Sequence, residues 1–271
     1  MKFQLKALAV ALALVAAVPA QAATTTAASG NSSLVLSVYD RVANISALFD
    51  LGKSYSDFNV AGTSFANSGV TNPGTSFSWN LTTGDYATAW TQYLGTATLA
   101  NSVFAVSAAD NTGSGAGGRG FIGTFKSAAS GIVTQQVSLM GGNLDTYVGA
   151  NGVGSAVLFE NHSIVADGSS VANAGQPYAP NYFGADKNFN VGPITAGAVG
   201  SDLGVFQYTS AATSFAPAVL TLFGNDAKFN LASNGSLVYS TTVAAVPEAD
   251  TWAMMLVGLG FMGFVARRKQ A

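Results

Sequence analysis

An uncharged apolar run near the carboxyl terminus most constrains what this chain can fold into. Residues 252–266 carry no charge, and a basic cluster, Arg267-Arg268-Lys269, closes the run. As a helix, the run spans roughly 22 Å, and Thr251 and the arginine stems extend it toward the ~30 Å of a bilayer core. A soluble amphipathic helix needs a polar face, which this run lacks. The sequence therefore predicts a transmembrane helix over residues 251–266, against the alternative of a buried helix in a soluble domain.

The two edges of the run predict how the helix is oriented. Trp252 lies at one edge and the basic cluster at the other. Tryptophan is typical of membrane interfaces, and lysine and arginine are enriched on the cytoplasmic side. Everything before Pro247 is then expected outside the cytoplasm.

The residues in and around the run follow the order and spacing of a known sorting signal. They are Val246, Pro247, Glu248, Thr251, Trp252, Gly258, Gly260, Gly263, Arg267 and Arg268. Together they resemble the PEP-CTERM protein-sorting signal, except that Ala249 stands where the family usually has a second proline. The resemblance implies recognition and cleavage by exosortase, a membrane-embedded cysteine protease of bacteria that make exopolysaccharide. It also implies delivery to the cell surface, the outer membrane or the biofilm matrix.

The amino terminus reads as a secretory signal peptide over residues 1–22. Lys2 and Lys6 form a charged start, an apolar stretch follows, and Ala20 and Ala22 supply the small residues of an A-x-A cleavage site. Signal peptidase is expected to cut before Ala23. The cleavage site and the short apolar length argue against the alternative of a permanent membrane anchor.

The remaining passenger, residues 23–245, is predicted to be an acidic extracytoplasmic domain without disulfides. It has 223 residues, enough for one all-β domain or two small ones. Its 6 basic and 11 acidic residues give 6 − 11, a net charge of −5. Nucleic-acid binding needs clustered lysine and arginine, so that class is excluded. The sequence has no cysteine, so the domain must be stabilised by burial alone.

Short apolar runs separated by turn residues indicate a mainly β passenger. Strands are expected at residues 33–39, 47–51, 77–81, 102–107, 119–125, 131–140, 155–159, 204–208, 218–223, 229–231 and 237–242. Asn234-Gly235 is a strong hairpin signal between the last two. Many short strands with Gly/Asn turns favour a β-sandwich or jelly roll. One short helix is expected over residues 84–94, with Thr83 as its cap and Tyr86, Trp90, Tyr93 and Leu94 on one face.

Three patterns in the passenger could carry chemistry, and each has a simpler interpretation. The loop at residues 113–118 satisfies G-x-G-x-x-G, but a strand is predicted after it where a dinucleotide site needs a helix. His162 and Glu160 could form a metal pair, but His162 is the only histidine and zinc needs further ligands. The carboxylates could include a glycosidase pair, although most lie in predicted turns, at Asp110, Asp167, Asp186 and Asp226. We therefore expect no catalytic residue, no metal and no cofactor.

Three hypotheses for the function remain, in order of preference. The first is a non-enzymatic surface or biofilm-matrix protein that is structural or associates with exopolysaccharide. The second is a carbohydrate-binding module that presents exposed aromatic side chains such as Trp79, Trp90 or Tyr178 to sugar rings. The third is a secreted glycoside hydrolase. Coplanar aromatic rings in an open groove would favour the second, and two carboxyl groups ~5–9.5 Å apart in a cleft would favour the third.

Overall fold

The structure is a computed structural model and describes residues 24–61, 69–126, 131–151, 168–176, 178–184, 186 and 195–242. Its strands are β1 (Ser33–Asp40), β2 (Ile45–Ser54), β3 (Ser76–Asn80), β4 (Ser102–Asp110), β5 (Gly120–Phe125), β6 (Ser170–Asn173), β7 (Gly197–Ala198), β8 (Asp202–Thr209), β9 (Val219–Leu222), β10 (Lys228–Leu231) and β11 (Ser236–Ser240). Its α-helices are α1 (Tyr55–Phe58), α2 (Ala87–Leu94), α3 (Thr134–Asn151) and α4 (Ala179–Phe183), and 3-10 turns occur at Ala27–Ser29, Gly84–Tyr86 and Leu99–Asn101. The prediction of a mainly β fold is confirmed.

Hydrogen bonds join these strands into one antiparallel sheet, where a sandwich or jelly roll has two. The order along the sheet is β3-β11-β10-β8-β5-β4-β1-β2-β6, with β7 beside β4 and β9 beside β8. β9 and β10 lie end to end along the same side of β8, since Phe206 pairs with Leu222 and Gly204 with Lys228. The sheet is curled.

The central strands are buried on both faces, which explains why they read as continuous apolar runs. In β1, Leu34, Leu36 and Val38 belong to one hydrophobic core, and Val35 and Tyr39 to a second. Successive side chains of a strand point to opposite faces. The sheet therefore separates two cores, one packed against α2 and the other against α3 and α4.

The expected helix over residues 84–94 is confirmed as a 3-10 turn continuing into α2. Tyr86, Trp90 and Tyr93 are buried as the spacing predicts, whereas Leu94 is 38% exposed. Thr83 precedes the turn in extended conformation, but its side chain makes no capping hydrogen bond. Aromatic packing, with Trp90 and Tyr93 stacked 5.8 Å apart, is what holds this helix on the sheet.

The strand expected at residues 131–140 was wrong, and so was the expectation of a single helix. From Thr134 onward these residues form the first part of α3. This helix buries a set of side chains at helical spacing, namely Val137, Met140, Leu144, Tyr147 and Val148. The β-branched residues at its start favour a strand, and two glycines after Met140 interrupt the helical pattern. A Cβ on Gly141 would lie 3.1 Å from the Asn111 side chain, so Asn111 would have to shift by a few tenths of an ångström to admit a larger residue there.

The carboxyl-terminal hairpin is confirmed. β10 and β11 pair from Leu231↔Leu237 to Lys228↔Ser240. Gly235 adopts a left-handed conformation, with φ of +82°, which the turn requires and glycine tolerates without cost. The Asn234 side chain accepts the N–H of Ser236 at 3.0 Å, so both residues of the predicted signal act as expected.

Several predictions fall outside the described residues. They are the signal peptide, the strand at residues 155–159, the transmembrane helix over residues 251–266, and the sites at His162, Glu160 and Asp167. Among the helices that the structure describes, none is both long and apolar enough for a membrane span.

Candidate functional site

The described body ends where the predicted sorting signal is attached, and hydrogen bonds hold the chain up to that point. After β11, Thr241 donates its N–H to Thr75 O at 3.0 Å, and its hydroxyl donates to Asn72 O at 2.7 Å. Thr242 donates its N–H to Asn225 O at 2.8 Å, and its hydroxyl donates to the same oxygen at 3.0 Å. The carboxyl-terminal exit is therefore fixed between the loop before β3 and the loop between β9 and β10.

The distance from this exit to the predicted sorting residues is short. Four residues separate Thr242 from Pro247, so five residue steps join their Cα atoms, and these span at most about 18 Å in a fully extended chain. The sorting residues Val246, Pro247, Glu248, Thr251, Trp252, Gly258, Gly260, Gly263, Arg267 and Arg268 lie outside the described residues. The body thus reaches almost to the predicted processing region.

At the other terminus, the described residues begin at Thr24, and the predicted first residue of the mature chain is Ala23. Ala20, Ala22 and Ala23 themselves lie outside the described residues. Thr25 donates its N–H to the Ser33 hydroxyl at 3.0 Å. The chain is therefore hydrogen-bonded to the folded body from Thr25 onward.

The aromatic side chains expected to contact sugars are buried, so that part of the carbohydrate-binding hypothesis was wrong. Trp79 is 6% exposed and donates its indole N–H to Leu51 O at 2.7 Å. Trp90 is 2% exposed and packs against Phe49. Tyr178 is 5% exposed, and its hydroxyl donates to a backbone carbonyl at 3.2 Å. These three rings stabilise the two cores and offer no open face for a ligand.

Asp40 is a buried carboxylate that holds a loop and a turn in place. One oxygen accepts the N–H groups of Val42 at 2.8 Å and Ala43 at 3.0 Å, and the other accepts the N–H of Thr98 at 2.8 Å. Burial by itself raises the pKa of Asp40, but the three N–H donors together outweigh it and hold that pKa below its usual value. The charge serves the fold, because it satisfies backbone donors from two separate segments.

Asp186 joins a tyrosine and an arginine at the edge of the second core. Tyr39 donates its hydroxyl to Asp186 Oδ1 at 2.7 Å, and the Arg41 guanidinium contacts the same oxygen at 2.7 Å. Arg41 also lies over the Tyr39 ring, 5.6 Å from its centroid. Burial and the nearby Asp186 carboxylate raise the pKa of Tyr39, so the ring stays neutral and donates its proton. Asp186 has a φ of +62°, as in a tight turn.

Asp145 on α3 caps the 3-10 turn at the amino end of the body. Its carboxylate accepts the N–H of Ala27 and that of Ala28. Burial raises the pKa of Asp145 more than these two donors lower it. A raised pKa is a property of general acids, but here the carboxylate is occupied by backbone donors.

Two further aspartates that were predicted to lie in turns, Asp110 and Asp226, also have partners in the structure. Asp110 accepts the N–H and the hydroxyl of Thr112 at 3.0 and 2.8 Å, as predicted for an aspartate in a turn. On the surface, Lys228 contacts Asp202 at 2.7 Å and Asp226 at 3.9 Å. Within the described residues, no group of three or more His, Asp or Glu side chains could hold a metal ion.

The glycine-rich loop at residues 113–118 is a strand connection, and the prediction that a strand follows it is confirmed by β5. A Cβ on Gly113 would lie 2.0 Å from Gly118 O, so the glycines allow the loop to fold onto itself. Ser210 fastens it, because its hydroxyl donates to Gly115 O at 2.6 Å. Arg119 donates to Gly113 O at 2.7 Å. The glycines serve this backbone packing, which accounts for the motif without a phosphate ligand.

Sequence reasoning missed the roles of Asp40, Asp145 and Asp186, because their partners are remote in the chain. Asp40 and Thr98 are 58 residues apart, Ala27 and Asp145 are 118 apart, and Tyr39 and Asp186 are 147 apart. The only local signal was the N–H pair two and three residues after Asp40, which is typical of an aspartate that begins a turn.

The comparisons with known proteins identify the carboxyl-terminal segment. A family model of the PEP-CTERM protein-sorting motif matches residues 245–269. Curated proteins and solved structures yielded no match. The matched segment begins three residues after Thr242, where the described body ends.

A mainly antiparallel β body that leads into a carboxyl-terminal sorting motif defines a sorted passenger protein. The chain carries a PEP-CTERM protein-sorting motif at residues 245–269, and the motif indicates export and sorting to the surface by exosortase.

Proposed function

We propose that this chain is a non-enzymatic protein of the cell surface or biofilm matrix, either structural or associated with exopolysaccharide. Signal peptidase removes residues 1–22, the helix over residues 251–266 anchors the chain temporarily in the inner membrane, and exosortase then releases the passenger. The observation that carries the proposal is the sorting motif at residues 245–269, attached to a folded β body by a short connection.

The chemistry of the described body supports a role without catalysis. The carboxylates of Asp40, Asp145 and Asp186 are engaged by backbone N–H groups or by Tyr39 and Arg41. A glycoside hydrolase needs two carboxyl groups that face a substrate across a cleft. Polar groups that already have partners in the fold are poorly suited to that task, so a structural or binding role is the better explanation.

The experiment is a retention assay with the processed passenger collected from its own host. Passenger from the parent strain and from a strain unable to make exopolysaccharide is applied to the purified host polysaccharide. We expect retention in both cases, with no release of reducing sugar ends. Release of reducing ends would contradict the proposal and indicate a hydrolase. Loss of retention alone would leave the structural role and remove the polysaccharide association.

A further inference from the structure

The most exposed large apolar side chain of the described residues, Phe215, lies on an uncharged loop between β8 and β9. Phe215 is 80% exposed, and Val219 at the start of β9 is 54% exposed. No residue between positions 210 and 222 is charged. Single apolar side chains are common on protein surfaces, but an exposed apolar stretch without charges is typical of a contact surface.

The start of α3 holds this loop on both sides of Phe215. Thr134 donates its N–H to Ala216 O at 3.0 Å. Gln135 donates its N–H to Ser214 O at 2.9 Å. The N–H groups of a first helical turn have no acceptor within their own helix, so the loop supplies one for each of these two. The backbone beside the ring is therefore ordered before any contact forms, which lowers the entropic cost of a contact.

The loop lies at the end of the sheet from which the chain leaves the body. β8 and β11 run in the same direction, because both are antiparallel to β10. The loop after β8 and the exit after β11 are therefore at one end, which we call the exit end. β5, β4 and β1 alternate in direction from β8, so β1 finishes at the opposite end. Val42, which is 75% exposed, lies there in the turn between β1 and β2.

The other segments at the exit end are also uncharged. Residues 24–32 precede β1, residues 113–118 connect β4 to β5, and neither segment contains a charged residue. Arg119, directly after the second segment, donates to Gly113 O. Asp57 in α1 is exposed and accepts the N–H of Ser54. Transfer of a charge into a bilayer is costly, so these uncharged loops suit contact with a lipid surface.

We propose that Phe215 and its loop contact the surface of a lipid bilayer while the chain is anchored. This inference rests on the proposed function, in which the helix over residues 251–266 is in the inner membrane. Nine residue steps (251 − 242) join Thr242 to Thr251, and they span at most about 32 Å. The exit end therefore stays close to the bilayer. Contact by a tethered body is intramolecular and forms at a high effective concentration, and phenylalanine is typical of apolar faces at a membrane interface.

The contact has a consequence for processing. It turns the exit end, and with it the start of the sorting motif at residue 245, toward the bilayer that holds exosortase. Once the chain is cut, the tether no longer raises the effective concentration of the loop at the bilayer. The contact is then lost, and the passenger leaves the membrane without a further step.

Fluorescence quenching compares the two ends of the body in the purified full-length chain, reconstituted into phosphatidylcholine vesicles. The chain has no native cysteine, so Thr213→Cys and Val42→Cys each carry one fluorophore, the first beside an intact Phe215. We expect a lipid-borne quencher to reduce the emission at position 213 at least about threefold more than at position 42, and aqueous iodide to do the reverse. Equal quenching by lipid at both positions would overturn the proposal. Protection of position 213 from both quenchers would show that a second copy covers the loop and would also overturn it.

Two further variants test the ring itself. Phe215→Ser, added to Thr213→Cys, should lower the quenching by lipid to the level at position 42. Val42→Ser, added to the same Thr213→Cys chain, is the matched control and should leave the quenching unchanged. Full quenching in the Phe215→Ser variant would contradict the role of the ring.

Flotation of the vesicles separates this inference from the proposed function. A chain that does not float with the vesicles contradicts the predicted anchor, and with it the tether that the bilayer contact needs. A chain that floats but shows no difference between positions 213 and 42 overturns the bilayer contact alone.

Discussion

At the scale of single residues, the buried carboxylate of Asp40 makes a prediction about acid stability. Asp40→Ala leaves three backbone N–H groups without their acceptor, and we expect it to lower the free energy of unfolding by about 2 to 4 kcal/mol. Asp40→Asn keeps one side-chain oxygen as an acceptor and should cost less. Chemical denaturation of wild type and both variants at neutral pH measures the difference.

The pH dependence of the same site follows from its lowered pKa. A folded-state pKa below the unfolded value contributes stability that is present above the unfolded pKa, about 4, and is lost as the pH falls through the folded pKa. The stability gap between wild type and Asp40→Asn should therefore shrink below about pH 4. A gap that stays constant from pH 7 to pH 3 would show that the charge of Asp40 does not matter.

A pair of glycines gives a second prediction at this scale. A Cβ on Gly120 would lie 1.8 Å from the Tyr55 hydroxyl, whereas a Cβ on Gly149 in α3 would meet nothing within 4 Å. Gly120→Ala should destabilise the protein by about 1 to 3 kcal/mol through overpacking. Gly149→Ala should stabilise it by about 0.5 to 1 kcal/mol, because alanine favours a helix. Thermal unfolding of both variants checks the opposite signs.

At the scale of elements, α3 anchors the amino-terminal turn through Asp145. Asp145→Ala removes the acceptor for the N–H groups of Ala27 and Ala28, so these amides should exchange about tenfold faster with solvent. The control is Thr146→Ala, because the Thr146 hydroxyl donates to Gly142 O within the same helix. Unchanged exchange at Ala27 in Asp145→Ala would mean that packing of the turn alone, with Ala27 fully buried, holds it in place.

At the scale of the whole molecule, the sorting signal should depend on Pro247 and Glu248. A proline disfavours helical conformation in the residue before it, and a protease needs an extended scissile segment, while a charge such as that of Glu248 resists transfer into hydrocarbon. Changing both residues to leucine lengthens the apolar run, so processing should fail and the chain should stay in the inner membrane. Fractionation of the host with an antibody against the passenger measures this.

The comparison strains for that experiment are wild type and an exosortase deletion. We expect full-length chain in the inner membrane of the double variant and of the deletion strain, and processed passenger outside that membrane in wild type. Full-length chain in the inner membrane of all three strains would mean that residues 246–271 are an ordinary anchor.

The features that could be predicted from the sequence are those determined by residues close together in the chain. The PEP-CTERM motif is a linear pattern that an enzyme reads, and the Asn234-Gly235 hairpin follows from backbone conformations that few residues adopt. The strands β1 to β5 and β8 to β11 were found because each contains a short apolar run next to turn residues, whereas the short strands β6 and β7 were missed. For the same reason the strand expected at residues 131–140 failed. In that segment, the β-branched residues at the start and the glycines after Met140 favoured a strand prediction. The apolar residues at helical spacing, which continue to Tyr147, indicated a helix and were not recognised.

Tertiary structure alone decided which side chains are buried and what the polar groups do. The sequence does not distinguish a tryptophan that binds a sugar from one that packs in a hydrophobic core. The folded structure shows that Trp79 and Trp90 are buried in the core. The single sheet, in which β9 and β10 share one side of β8, likewise depends on pairings between remote segments. Burial and hydrogen bonding of Asp40, Asp145 and Asp186 require partners up to 147 residues away. The sequence by itself determined the sorting motif and the positions of most strands, because those signals are local, whereas the fold set the strand limits and assigned each buried group its partner.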